Sequence, residues 1–288
     1  MSGPQKNITF PPRPRPQWSL YRPPAKPLCE KYAGQTQQQE YAAEMTKNDK
    51  NSTKFTWPPA IKAYLVLIAI MVILAGLQAI LPLEINQGQQ MSWVVIVGAA
   101  LLGLVGLVLT PKAGFPEMWG ANLSPKQWLW LPFGVGAALG VIMVLLDLIR
   151  PLGTDIQTKF PDSLIVFLLA GLVEEIIIHL FLTTLLVWLI SGVILRNRFQ
   201  EQIFWLVAVG VGVLYWLLQI SAIRSYFPEK FSMVLALQLL FVIGTTITLG
   251  AYFFRKRGFL AAVSLRYGFY LVWHIMWGGG IGLVRYFL

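Results

Sequence analysis

The sequence predicts an all-α protein, a polytopic transmembrane helical bundle of about seven spans, and three observations point that way. Of the 288 residues, 56% are hydrophobic and only 12% are charged, too little charge to cover a soluble domain of this length. Apolar runs of about twenty residues, long enough to cross the hydrocarbon core, recur from residue 58 onward. The basic residues behind the net charge of +10 gather in the N-terminal arm and beside apolar runs, as in Arg255-Lys256-Arg257. Basic clusters of that kind mark the cytoplasmic face and contact with anionic membrane lipids. No nucleic-acid module accompanies them, so nucleic acid is not an expected partner.

Residues 1–56 read as a separate arm. It opens with Pro11-Pro12-Arg13-Pro14-Arg15-Pro16 and continues through Arg22-Pro23-Pro24-Ala25-Lys26-Pro27, a proline density that blocks helix and sheet ladders and favours polyproline II. A polar stretch rich in Gln, Lys and Asn follows, from Gln35 to Lys54. With little to bury, the arm is expected to be a disordered linker, or a tether that orders on a protein partner. It lacks the apolar core of a secretory signal near Met1. The single cysteine, Cys29, excludes an internal disulfide and any multi-cysteine metal site.

Residues 57–288 form the membrane domain, with spans expected near 58–82, 92–110, 127–149, 163–190, 202–223, 232–254 and 258–278. The fourth run exceeds what one crossing needs, so it is expected to tilt, break or extend beyond the bilayer. With the N-terminus inside, the inner loops carry Lys112, Lys126, Arg196, Arg198 and Arg255 to Arg257, against Arg150, Lys159, Arg224 and Lys230 outside. The positive-inside rule therefore favours a cytoplasmic N-terminus. Glycines at 98, 103 and 106, at 134, 136 and 140, and at 210 and 212 are read as close helix contacts. Gly278-Gly279-Gly280 is read as a helix stop. Asp147 and Arg150 are expected to pair at the membrane surface, and Trp128, Trp130, Trp188, Trp205 and Trp273 to form interfacial belts.

The fourth span carries the feature of most consequence. Glu174 and Glu175 lie inside the run 163–191, where two ionised groups would cost on the order of 5–7 kcal/mol to insert. They must be protonated, face a wet cavity, or meet a positive charge. His179, one of only two histidines in the chain, follows Glu175 by one turn, so the two share a helix face. Tyr215 and Gln219 repeat that spacing in the fifth span, and Arg266, Tyr270 and His274 step along one side of the seventh. Three polar stripes in apolar helices imply a common buried chamber.

Those stripes resemble the three motifs of the CPBP family, which includes type II CAAX-processing endopeptidases and bacteriocin-processing glutamate-type intramembrane proteases. The family motifs read EExxxR, FxxxH and HxxxN. They are matched in order by Glu174-Glu175-Ile-Ile-Ile-His179, Tyr215-Trp-Leu-Leu-Gln219, and Arg266-Tyr-Gly-Phe-Tyr270 within the stretch that begins at Gly258. The resemblance covers about residues 115–280. It implies that Glu174 acts as general base on water, aided by the second-motif residue, while the third-motif residues hold the scissile carbonyl and its oxyanion. Both glutamates match. The first-motif arginine is replaced by His179, the second-motif histidine by Gln219, and the third-motif histidine and asparagine by Arg266 and Tyr270.

The replacements change the chemistry. Glutamine exchanges no proton near neutral pH, so Gln219 can position a water but not share its proton. Arg266 can hold an oxyanion or pair with Glu174 or Glu175, and Tyr270 can donate one hydrogen bond. A degenerate member without proteolytic activity is therefore expected, binding a membrane protein, a peptide tail or a lipid-linked group between its helices as a scaffold or assembly factor. His179, Tyr215 and Gln219 would line that cavity. The alternative is an active endopeptidase cleaving membrane-associated or prenylated peptides, with Glu174, Glu175, Arg266 and Tyr270 catalytic. No cofactor is implied. A metal set of Glu175, His179 and His274, and a transporter, are the lesser alternatives.

Overall fold

The computed structural model describes residues 59–85, 89–116, 118–120, 123–149, 157–196 and 198–280. The proline-rich arm, Cys29 and Arg150 lie outside these residues. Six long apolar helices and a shorter one make up the membrane domain. They are α1 (Pro59–Ile80), α2 (Trp93–Leu109), α3 (Lys126–Ile149), α4 (Asp162–Ile194), α5 (Gln200–Tyr226), α6 (Met233–Arg257) and α7 (Phe259–Gly278). Each falls on one of the seven apolar runs, because in a bilayer a spanning segment must satisfy its backbone internally and only a helix does so locally.

Start signals are local. Ser92 caps α2 by accepting from the Val95 amide, and Ser232 caps α6 by accepting from the Leu235 amide, the ordinary use of a serine at the N-cap. The sharp joint between α6 and α7 turns on Gly258, which has φ +97°. That conformation costs little without a Cβ, and a Cβ there would strike the backbone of Met118 and Trp119. Arg255, Lys256 and Arg257 occupy the last turn of α6, where cations complement the helix dipole.

α4 is the centre of the bundle. At 33 residues it spans about 50 Å at the α-helical rise, more than the hydrocarbon thickness. Of its apolar window 67% is buried, equalled only by α7, against 22–28% for α1, α3 and α5. It neither breaks nor kinks into a loop. Instead it widens to π-helical geometry over Ile176–Thr183 and again over Trp188–Ile194, with Thr183 and Thr184 hydroxyls donating to the carbonyls of Ile178 and His179 five residues back. The π segment begins directly after the two glutamates, and such widenings recur at functional sites.

Small residues set the helix contacts. Gly103 receives Tyr64 from α1 and Ile176 from α4, Gly106 lies on the backbone of Leu180, and Gly136 and Gly140 lie on α7 at Leu265 and Val272. Tyr64 is fully buried in the notch and its hydroxyl donates to the Ala100 carbonyl at 2.7 Å. Gly212 meets Gly244 of α6. Gly98, Gly134 and Gly210 have open space instead, so those three are not contact glycines. Trp273 also departs from expectation: it is buried among Leu139, Phe167 and Val242, not at a membrane surface. Trp130 and Trp205 are exposed as an interfacial belt requires. Asp147 is buried too and accepts from the Trp277 indole at 2.8 Å. The three glycines 278–280 do not stop α7, whose final π-helical turns run through Gly280.

The glycine contacts give a direct test. Gly136→Val should lower stability by about 1–3 kcal/mol, since the added volume meets α7 backbone that cannot give way. Gly134→Val, two residues away with nothing within 4 Å, should leave the thermal melt in detergent nearly unchanged. Equal melting points for the two variants would refute the packing assignment.

Candidate functional site

The polar residues singled out by spacing come from four helices, and most of them face one cavity of about 260 Å³. Glu174 of α4, Tyr215 and Gln219 of α5, and Arg266, Tyr270 and His274 of α7 all line it. Its remaining wall is largely apolar, from Met143 of α3, Leu239 and Ile243 of α6, and Phe269 of α7. The cavity extends to Gln89, Gln157, Tyr226 and Phe227, which belong to loops and helix ends at one end of the bundle. The opposite end carries Arg255, Lys256 and Arg257.

The centre of the site is an ion pair across α4 and α7. Arg266 is 2% exposed, and its Nε donates to Glu175 Oε1 at 2.7 Å. Of the two partners left open by the sequence, Glu175 is the one it bonds; its Nη1 stands 3.7 Å from Glu174 Oε2. The guanidinium also lies over the rings of Tyr215 and Tyr270, at 5.7 and 5.6 Å to their centroids, contacts that favour a cation in an apolar setting. Its Nη2 is buried and has no hydrogen-bond partner.

Behind the ion pair sits His179. Its Nδ1 lies 2.5 Å from Glu175 Oε2 and its Nε2 lies 2.9 Å from the Ile247 carbonyl of α6. A carbonyl oxygen only accepts, so Nε2 carries a hydrogen. A bond from Nδ1 to a carboxylate oxygen then requires one further proton between them, on either partner. Glu175 and His179 therefore share that proton. The imidazole fills a notch in α6 at Gly250, where a Cβ would come within 2.7 Å of Cε1.

In front of the ion pair, Glu174 is 21% exposed in its side chain and accepts from the Tyr270 hydroxyl at 2.5 Å. Gln219 donates to the Tyr215 hydroxyl at 3.0 Å. His274 is further toward the mouth, stacked on Phe167 at 4.0 Å with its Nδ1 2.7 Å from Gln157 Oε1. Near it, Thr158 donates to Gln89, joining the two loops of the mouth.

Two expectations are corrected. His179 does not line the cavity; it is fully buried between α4 and α6, with both nitrogens engaged. The metal alternative of Glu175, His179 and His274 is not assembled, because His274 bonds Gln157 and Glu175 is already bonded by Arg266 and His179. Among the described residues no group of three His, Cys, Asp or Glu side chains could hold a metal ion. Spacing also missed the contribution of α6, which reaches the site by a backbone carbonyl and a bare glycine. Gly250 beside Ala251 was the only sequence signal for it.

Removing one member of a buried pair leaves an uncompensated charge, at a cost of about 3–5 kcal/mol. Arg266→Met should lower stability by that amount, and Arg266→Met with Glu175→Gln should cost clearly less than the sum of the two single changes. Additive losses in detergent unfolding would contradict the pairing. No protein-family model matches the chain, and neither does any curated protein or solved structure.

Proposed function

We propose that this integral membrane protein is a CPBP-like chain that no longer hydrolyses peptide bonds and uses the former substrate cavity for binding. Its role would be that of a scaffold, chaperone or assembly factor for a membrane-embedded partner or a lipid-linked group. The proline-rich arm would recruit a second protein by its polyproline II conformation, and the N-terminus would face the cytoplasm.

The supporting observation is the way the polar groups are committed to one another. A glutamate base needs a neighbour to pass its proton on to the leaving amine. The imidazole nearest Glu174 in sequence is His179, and it sits behind Glu175 with both nitrogens bonded. On the cavity side stands Gln219, which carries no exchangeable proton at neutral pH. Tyr270 gives its hydrogen to Glu174 itself, not to a position where an oxyanion would form. Arg266 gives its Nε hydrogen to Glu175.

Charge supports the proposed orientation. Lys112, Lys126, Arg196, Arg198 and Arg255 to Arg257 lie in loops or helix ends on the side where α1 begins. The opposite loops hold Glu84, Asp162 and Glu229 beside Lys159, Arg224 and Lys230.

One observation favours the active endopeptidase as a second reading: the Glu174 carboxylate is accessible from the cavity, with the Arg266 Nη1 3.7 Å away. Glu174→Gln separates the two. The variant should leave any co-expressed candidate substrate uncut, as the unaltered protein also does, and should preserve the phenotype of the intact gene. Cleavage by the unaltered protein that disappears in Glu174→Gln, at equal protein level, would establish the endopeptidase instead.

A further inference from the structure

The charge balance of the cluster restricts what the cavity can hold. Arg266 contributes one positive charge. Glu175 and His179 with their shared proton contribute none, whichever of the two carries it, because Glu175⁻ with His179⁺ and the two neutral forms have the same sum. An ionised Glu174 therefore brings the four groups to zero. A membrane-buried site at zero charge rejects a charged head, since each added charge must be stripped of water with no counterion to meet it.

The donors and acceptors narrow the class further. Arg266 Nη2 is buried, unpartnered and part of a side chain that lines the cavity, so the site lacks one oxygen acceptor. Unsatisfied buried donors are rare because they forfeit the full cost of desolvation. A carbonyl oxygen placed against Nη2 supplies the acceptor without adding charge. Beyond the cluster, however, the wall is Met143, Leu239, Ile243 and Phe269, which offer nothing to an amide. An extended peptide presents an N–H and a C=O at every residue and would leave most of them unbonded along that wall. A hydrocarbon tail needs no such partners.

We infer that the cavity binds an uncharged lipid-like amphiphile with a single carbonyl head, its oxygen on Arg266 Nη2 and its tail along Met143, Leu239, Ile243 and Phe269. This rests on the cavity being a binding site, and it names the ligand class. A hydrogen bond from a charged donor sets the size of the preference for a carbonyl over a head that cannot use it, about tenfold or more.

The test uses the full-length protein in detergent and three amphiphiles of equal chain length: dodecan-2-one, laurate and dodecylamine. Calorimetric titration at pH 8 should show saturable binding of the ketone, at least about tenfold tighter than that of laurate or the amine. With a carbon-13 carbonyl, the bound ketone should show its infrared stretch shifted to lower frequency by the guanidinium bond. Ile243→Trp, which fills the tail region without touching the polar cluster, should abolish saturable ketone binding. Laurate or dodecylamine binding as tightly as the ketone would overturn the proposal. So would an unshifted carbonyl stretch, or ketone binding that survives Ile243→Trp. Preferential binding of a blocked apolar peptide, N-acetyl-Leu-Leu-amide, would also overturn it in favour of a peptide ligand. None of these readouts involves peptide hydrolysis. A protein that cleaves peptides through Glu174 and still binds the ketone would sink the proposed function and leave the ligand class standing.

Discussion

The bond between Arg266 and Glu175 ties the two most buried helices together at mid-membrane. A lone carboxylate there would be expelled or neutralised, and a lone guanidinium would draw water and lipid headgroups inward. Paired, each makes the other tolerable, and the pair needs α4 and α7 adjacent and in one register. The rest of the bundle is consistent with that demand. Tyr267 donates to the Leu168 carbonyl one turn from the pair, Gly171 leaves room for the Tyr267 ring, and Gly268 lets α7 lie on the backbone of Phe133 in α3. Small residues stand where close approach is needed, and the polar bond between helices supplies the specificity.

Two shells of polar groups surround this bond, and they differ in kind. Behind it, the histidine, its backbone acceptor and the shared proton form a dry, fully bonded arrangement with no room for exchange. In front of it, Glu174, Tyr270, Tyr215 and Gln219 are partly accessible and face an apolar hollow. A polar network in low dielectric is either satisfied or expensive. The rear half is satisfied by the chain itself, whereas the front half retains one free donor.

Much of this was legible from residue spacing. Long apolar runs translate into helices because the bilayer leaves the backbone no other local solution, so the positions of the seven elements follow closely. The i, i+4 steps at Glu175 and His179, and at Tyr215 and Gln219, appear as direct hydrogen bonds. Depth was harder to read. Nothing in the local pattern separates a histidine facing a cavity from one facing the next helix, and His179 lay on the far side. Trp273 was assigned to the surface by residue type, although its neighbours enclose it. The choice of Glu175 over Glu174 for Arg266 depends on a difference of about 100° around α4, modified by a π-helical turn that no periodicity announces.

The notch at Gly250 deserves a last look for what it says about how this chain can change over time. α6 contributes to the polar centre only an oxygen that every amino acid possesses and a gap that only the smallest one leaves. Its other positions are free to drift among apolar types without disturbing the imidazole. Position 250 and position 179 should therefore vary as a couple among descendants of this gene: wherever the glycine gains a methyl group, the ring opposite has to give way to something slimmer.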